Sequence, residues 1–354
     1  MMAALAAGGF SLATAAAEAQ TNSIVVGLPV NISMGYATMT AAMELGYFKE
    51  EGLEVKLQEF QGAAIVLQQL AGKNFLIGGG GADPLILVKQ PGRDAPPVRF
   101  FYNSSRDYIW EYVVPENSPI KTLQDLRGKK IGVGSLSNSH VPVTRQTLKE
   151  AGLELTKDYQ LMAIGIGGPA FRALLNGDVD AYNTWQTNIA GFEATGTKLR
   201  RLPMPQKYKD LFTVGYMAHE DTIKNNPKAL IGAGRGFAKG TLTCEIAMEW
   251  CVKTFWKYYP TLKPRDVGEE DAMKRGIAGV QAQLNNLLAF PPGKPRRFGE
   301  YPEGSWKNFV DVLYEGGEIK APIADVNILY TNELIDEINN FDVAKVQEKA
   351  KTLK

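Results

Sequence analysis

Residues 75–84 read FLIGGGGADP, an apolar tetrad running into four consecutive glycines and an Asp-Pro. Glycine loses more chain entropy on folding than any other residue, so such a run marks backbone kept bare for a tight turn or for a guest lying on the main chain. A nucleotide cradle is excluded: no Lys follows at Walker spacing, and the first strand ends in GLPVNISMG rather than G-x-G-x-x-G. GAGRGFAKG at 232–240 lies inside a helical run, where its glycines permit close helix packing. Catalytic chemistry is thinly represented. There is no G-x-S-x-G elbow and no H-E-x-x-H, and His140 and His219 are the only histidines. No Cys/His cluster has ligand spacing, so neither a metal nor a cofactor is expected. Asp178 and Asp180 flank a turn and read as caps. His140 opens a helix without a nucleophile partner and reads as a ligand contact rather than a base. Cys244 and Cys251 fall in what reads as one continuous helix; seven residues of helix rise about 10 Å, beyond disulfide reach, so two buried thiols are expected.

The glycine run is better read as a strand end. In open α/β sheets, guests collect beyond the carboxyl ends of the strands, which points to the main-chain amides of Gly80, Gly81 and Ala82. Other strand ends repeat the style. Asn31, Ser33, Met34 and Tyr36 follow the first strand, and Gly62 and Ala63 the second. Ser135, Ser137, Asn138, Ser139 and His140 open the second unit, and Gly167 and Gly168 follow its next strand. Each loop places small or hydroxyl residues before a helix, whose N-terminal N–H groups and partial positive charge can hold a polar group without any Lys. Aromatic rings at strand ends and crossovers supply the apolar part of a pocket: Tyr102, Tyr108, Trp110, Tyr182, Trp185 and Tyr216, with Tyr36.

The elements that must position these residues alternate. From Ser23 the chain reads SIVVGLPV as strand, MGYATMTAAMELGYF as helix, LEVKLQEF as strand, GAAIVLQQLAGK as helix and FLIG as strand, with VRFFYN and IWEYVV two more strands. This βαβα rhythm implies mostly parallel sheets covered by helices. The rhythm restarts at KIGVGS after the Pro/Asn/Ser-rich VPENSPIKTLQDLRGKK, and a second crossover is expected near LFTVGYMAHED. The remainder is helical. The chain therefore leaves its first domain and returns to it: a first lobe from 23–115 plus 217–354, and a second lobe from 116–216.

With 354 residues and 45% hydrophobic content, the chain has core material for two compact domains. The 39 Lys+Arg balance 38 Asp+Glu without a basic stripe, which excludes nucleic acid as a partner. MMAALAAGGFSLATAAAEAQ ends in the small-x-small Ala17-Glu18-Ala19, so residues 1–22 are expected to be an export signal lacking its usual positive start.

AAMELGYFKEEGLEV, GGGGADPL, SPIKTLQDLRGKKIGVGS, ALLNGDVDAYNTWQTN and EGGEIKAPIADVNILYTNELIDEI together resemble the periplasmic solute-binding proteins of the nitrate/alkanesulfonate/taurine and thiamine-pyrimidine group of ABC importers. The resemblance spans nearly the whole chain after residue 22. It implies an α/β, two-lobe type II periplasmic-binding fold, each lobe a mostly parallel sheet flanked by helices, with extra C-terminal helices. It also implies a soluble periplasmic monomer without enzymatic activity, which captures a small solute between its lobes and hands it to a membrane permease with its ATPase. The family's ligand loops match the loops above and add Asp83, Thr184, Gln186 and Asn188. Many relatives carry an acidic residue after the Trp, where this chain has Gln186, which speaks against taurine-like zwitterions. A Tyr-rich cleft without an Arg clamp favours a planar or aromatic carboxylate, or a pyrimidine-like ring. The resemblance leaves alkanesulfonates as the alternative ligand and a thiamine-pyrimidine synthase as the enzymatic rival, although the synthases' Cys-rich motif is missing.

Overall fold

The computed structural model describes residues 22–265 and 267–354, so the expected export signal lies outside the described residues apart from its last residue. Two five-stranded sheets organise the chain. The first contains β1 (Asn22–Leu28), β2 (Leu53–Glu59), β3 (Ile77–Gly81), β4 (Val98–Asn103) and β10 (Val214–His219), in the order β2-β1-β3-β10-β4. The second contains β5 (Trp110–Pro115), β6 (Lys129–Val133), β7 (Tyr159–Ala163), β8 (Ala181–Trp185) and β9 (Leu199–Arg201), in the order β7-β6-β8-β5-β9. β1 runs parallel to β2 and β3, whereas β10 is antiparallel to both β3 and β4, so four strands share one direction and the returning strand opposes them. The second sheet repeats this plan, with β5 as the opposed strand. A mostly parallel sheet with one inserted antiparallel strand per lobe is what a chain that crosses out and back must build.

The crossings differ in place from those expected. β5 pairs with β8 and β9, so the chain has entered the second sheet before Trp110, ahead of residue 115. LFTVGYMAHED is mostly not a connection but β10 itself, buried between β3 and β4. Both strands are apolar runs that would suit either sheet; only their distant partners decide, and partner choice is a non-local property.

Helices cover both sheets. In the first lobe these are α1 (Ala37–Glu44), α2 (Ala63–Ala71) and α3 (Asp83–Lys89); in the second, α4 (Val141–Glu150), α5 (Gly168–Asn176) and α6 (Gln186–Glu193). α7 (Gln206–Lys209) precedes the return strand, and the C-terminal part supplies α8 (Glu220–Asn225), α9 (Pro227–Ile246), α10 (Met248–Tyr258), α11 (Glu269–Leu287), α12 (Ser305–Glu315), α13 (Ile335–Asn339) and α14 (Val343–Lys351). The glycines of α9 serve close packing, as expected: a Cβ at Gly232 would stand 2.7 Å from Glu51, one at Gly234 2.8 Å from Ile338, and one at Gly236 would collide with Phe48. α11 reaches across to the second lobe, where Asn286 donates to Gln186 Oε1 at 2.9 Å.

The cysteines are a correction. Cys244 and Cys251 form a disulfide with a Cα separation of 5.6 Å. The expected continuous helix is broken at Ala247, whose φ of −116° and ψ of 55° leave the helical region and fold α10 back on α9. The rise of an unbroken helix therefore does not apply. Both residues are buried in a cluster with Val252, Phe255 and Val280.

Candidate functional site

The four glycines can now be assigned individually. Successive residues of a strand face opposite sides of the sheet. Gly78 and Gly80 face α2, where a Cβ would meet Val66 and Leu70 in the first case and the Ala63 Cβ, at 3.0 Å, in the second. Gly79 lies under the Tyr216 ring, 3.2 Å from an added Cβ. Gly81 receives the other lobe: a Cβ there would stand 2.6 Å from Ser139 Cβ. None of the four has positive φ, so what requires glycine is close approach rather than backbone conformation.

The lobes meet at several further points. Ser137 Oγ donates to Gln61 O at 3.1 Å, and Arg145 Nε donates to Glu318 Oε1 at 2.8 Å. Lys149 Nζ donates to Gly316 O at 3.0 Å. This is a closed arrangement.

Between the lobes lies a partly open cavity of about 110 Å³. Its first-lobe wall is Ser33, Tyr36, Ala63, Gly81 and Tyr102, with Tyr216 from β10; its second-lobe wall is Trp110, Asn138, Ser139, Trp185 and Thr187. Phe237 and Thr241 of α9 and Gln283 and Leu287 of α11 close it from the side. The rings fall in two groups, one on each lobe's side. Tyr216 stacks on Phe237 with centroids 4.5 Å apart, Tyr102 meets Phe237 edge-on at 5.5 Å, and Trp110 and Trp185 meet edge-on at 5.5 Å. Among the described residues no Asp, Glu, Lys or Arg lines the cavity. Its polar groups are hydroxyls and amides. Burial holds the phenols of Tyr36, Tyr102 and Tyr216 above the ordinary tyrosine range, with neighbouring Glu59 adding to the effect at Tyr36 and the other two phenols adding to it at Tyr216. They are therefore neutral donors at any physiological pH.

An outer crevice of about 350 Å³ continues from the cavity, sharing Pro29, Val30 and Asn138 with it. Asn31, Gly62 and Ser135 line this crevice. The helices beginning around the two spaces, α2, α4, α5 and α6, have no side-chain cap at their N-termini. The same holds for α9, α10, α11, α12 and α13, whereas α8 and α14 are capped by His219 and Asp342. The first N–H groups of a helix lack intrahelical partners, so the uncapped ends leave donors for a guest.

Several expected contacts sit behind the wall. Gly80, Ala82 and Asp83 are buried in β3 and the start of α3, where desolvation holds the Asp83 carboxyl well above the usual carboxylate range. Tyr182 and Thr184 point into the second lobe's interior; Tyr182 OH donates to Gly165 O at 3.1 Å, and Asn188 donates to Thr184 Oγ1 at 2.9 Å. His140 stacks on Trp110 with centroids 3.6 Å apart, and burial pushes its imidazole down to about 3. Met34 packs against Gly279, and Ser137 bonds across the lobe junction. Gly167 precedes α5 and Gly168 begins it, and neither lines the cavity or the crevice. Tyr108 and Gln186 line a separate hollow on the outer side of Trp110. Ser104, Ser105, Phe237, Thr241 and Gln283 are not among the expected contacts, because their approach depends on the crossover and on C-terminal helices whose packing no local pattern reveals.

No curated protein matches the chain. Among solved structures, the alkanesulfonate-binding protein SsuA from Xanthomonas axonopodis pv. citri, bound to MOPS, is 15% identical with a TM-score of 0.63 over 87% of this chain and 98% of that one. The periplasmic aliphatic sulphonate binding protein SsuA from Escherichia coli is 17% identical with a TM-score of 0.62, over 87% of this chain and 92% of that one. The desulfurization enzyme DSZB is 15% identical with a TM-score of 0.57, over 90% of this chain and 99% of that one. These likenesses show the two-lobe periplasmic-binding fold that the crossings and the interlobe cavity describe. The family model described as NMT1/THI5 like matches residues 34–244, more than half of the sequence, and the chain belongs to that family.

Proposed function

We propose that the protein is the exported, periplasmic solute-capturing subunit of an ABC importer, binding one small planar organic solute, aromatic or pyrimidine-like, as a monomer and delivering it unaltered to a permease and its ATPase. The observation that carries this reading is the uncharged, ring-walled cavity between two lobes. An apolar cavity of about 150 Å³ holds benzene, so about 110 Å³ bounded by Tyr216, Phe237 and Trp185 fits the flat part of a small ring compound. A guest that touches both lobes binds the closed form better than the open one and shifts the population toward it; capture needs no chemical step. No helix among the described residues is long and apolar enough to cross a membrane.

Two of the similar structures are sulfonate-binding proteins, which keeps an alkanesulfonate as the alternative guest. A cavity without a lining cation favours it less, because an isolated buried anion is costly. Enzymatic turnover, the property of the similar desulfurization enzyme, finds little support in the side chains of this protein. The chain's two cysteines are joined in a disulfide and neither lines the cavity, and His140 is buried and neutral.

The test is a thermal-shift screen of the purified protein against ring compounds and sulfonates, followed by calorimetry and by mass analysis of the released solute. At a hundredfold excess over Kd a ligand adds about 2.7 kcal/mol of stability. The reading predicts one-to-one binding and recovery of the solute intact; turnover, or sulfonates binding in preference to every planar ring, refutes it.

A further inference from the structure

Three phenols stand together on the first-lobe side of the cavity. Tyr36 opens α1, Tyr102 ends β4, and Tyr216 lies on β10 opposite Tyr102. The rings of Tyr102 and Tyr216 are 6.1 Å apart, both residues are more than nine-tenths buried, and all three line the cavity. None of the three hydroxyls hydrogen-bonds to another described residue, although buried tyrosine hydroxyls ordinarily find a partner. Elsewhere in the same fold several buried tyrosines do, Tyr112 with Thr147 at 2.6 Å, Tyr182 with Gly165 and Tyr301 with Tyr102 O at 3.2 Å, while Tyr208 OH, outside the cavity, has none. What sets Tyr36, Tyr102 and Tyr216 apart is that three neutral phenol donors without partners line one cavity, close enough to act on one another.

Resting on the solute-capture reading above, we infer that Tyr36, Tyr102 and Tyr216 form a recognition subsite for a hydrogen-bond acceptor on the solute, and that the solute is an uncharged planar ring bearing a carbonyl-type oxygen, such as a cyclic amide or an aryl amide, rather than a carboxylate. A phenol donates one proton and needs an acceptor. A carboxylate would also accept those protons, but no cation lines the cavity: Arg106, whose charge is felt at Tyr102, lies behind it, donating to Arg297 O and seated over Phe290, so a buried carboxylate loses its hydration without a contacting counter-charge. Glu59, whose charge is felt at Tyr36, accepts from Ile32 N and adds negative rather than positive charge on that side. A neutral carbonyl has no such cost, and the flat ring attached to it occupies the surface made by Phe237 and Trp185.

The experiment is calorimetric titration of wild type and of Tyr36→Phe, Tyr102→Phe and Tyr216→Phe with four probes: 2-pyridone and benzamide as neutral acceptors, benzoate as the anion, and toluene as the shape control. Phenylalanine keeps the ring and removes only the donor, and the melting temperature of the ligand-free variants confirms intact packing. The expected result is that 2-pyridone or benzamide binds more tightly than benzoate, and that at least two of the variants weaken the neutral acceptor about 5- to 30-fold while leaving toluene unchanged. Benzoate binding more tightly than benzamide, or variants that leave the neutral acceptors within about twofold of wild type, would overturn the subsite while leaving solute capture standing. Failure of every ring, toluene included, to bind the wild type would remove the capture reading and this inference with it.

Discussion

Replacing Gly81 by alanine inserts a methyl group at the seam between the lobes. The added Cβ would stand 2.6 Å from Ser139 Cβ, about 0.8 Å inside the nearest ordinary contact of 3.4 Å. Rotating the Ser139 side chain moves its hydroxyl but not its Cβ, which is fixed to the backbone ahead of α4. Gly81 has no positive φ, so alanine is accommodated by the strand itself. The severe clash therefore falls on the closed form, while the Thr213 carbonyl oxygen beside β10, 3.3 Å from the added Cβ, needs to give only slightly. Overpacking of this size costs about 1–3 kcal/mol, and if that cost falls wholly on closing, affinity drops about 5- to 150-fold. Calorimetry with a ligand from the screen measures the affinity, and the melting temperature of the ligand-free protein measures the fold. The account expects weakened binding with ligand-free melting close to wild type. Affinity within about twofold of wild type would refute the claim that these lobes close on the Gly81–Ser139 contact. A large drop in ligand-free melting would place the clash inside a lobe.

Trp185→Ala and Tyr182→Ala should separate: the first removes cavity wall and weakens binding, whereas the second empties a buried position beside Phe171 and costs about 3–5 kcal/mol of stability, read by urea unfolding and ligand titration of both. Reducing the Cys244–Cys251 disulfide, or replacing both residues by serine, frees a short loop and should cost about 2–3 kcal/mol, read as a drop of a few degrees in melting temperature under reductant that the double variant does not show further. His140 is neutral in the folded protein down to about 3, whereas in the unfolded chain it titrates near 6.5. Between those values the unfolded chain holds the extra proton, so stability is lost as pH falls through that window, by about 1.4 kcal/mol per pH unit from this group. His140→Phe, which can still stack on Trp110, should make the urea-unfolding free energy fall less steeply between pH 7 and pH 4; an unchanged slope refutes the assignment.

Local pattern carries much of the architecture. The apolar runs at 24–28 and 131–133 and the helical spacing after them are strong, short-range signals, and the two-sheet plan follows from their alternation. Partner choice does not show: β5 and β10 are apolar segments whose sheet is set by residues far away in the chain. The same holds at the site. Loops next to strand ends, such as those with Ser33, Asn138 and Ser139, are legible because the βα turn is a local event. Phe237, Thr241 and Gln283 reach the cavity through the packing of α9 and α11, and nothing in their own neighbourhood distinguishes them from core. Tyr182 and Trp185 are three residues apart, yet alternation along β8 and its end sends one to the interior and the other to the cavity. The helix break at Ala247 has no Gly or Pro to announce it, so the disulfide is hidden behind an apparently uninterrupted helix.

The central claim, that a planar solute is held intact between the lobes, is tested most directly by a crystal structure of the protein with a ligand from the screen. The account predicts density for one unaltered ring compound in contact with Tyr216, Phe237 and Trp185, with Ser139 still seated against Gly81. Density for the compound outside the interlobe cavity, or for a chemically changed product inside it, would contradict the account.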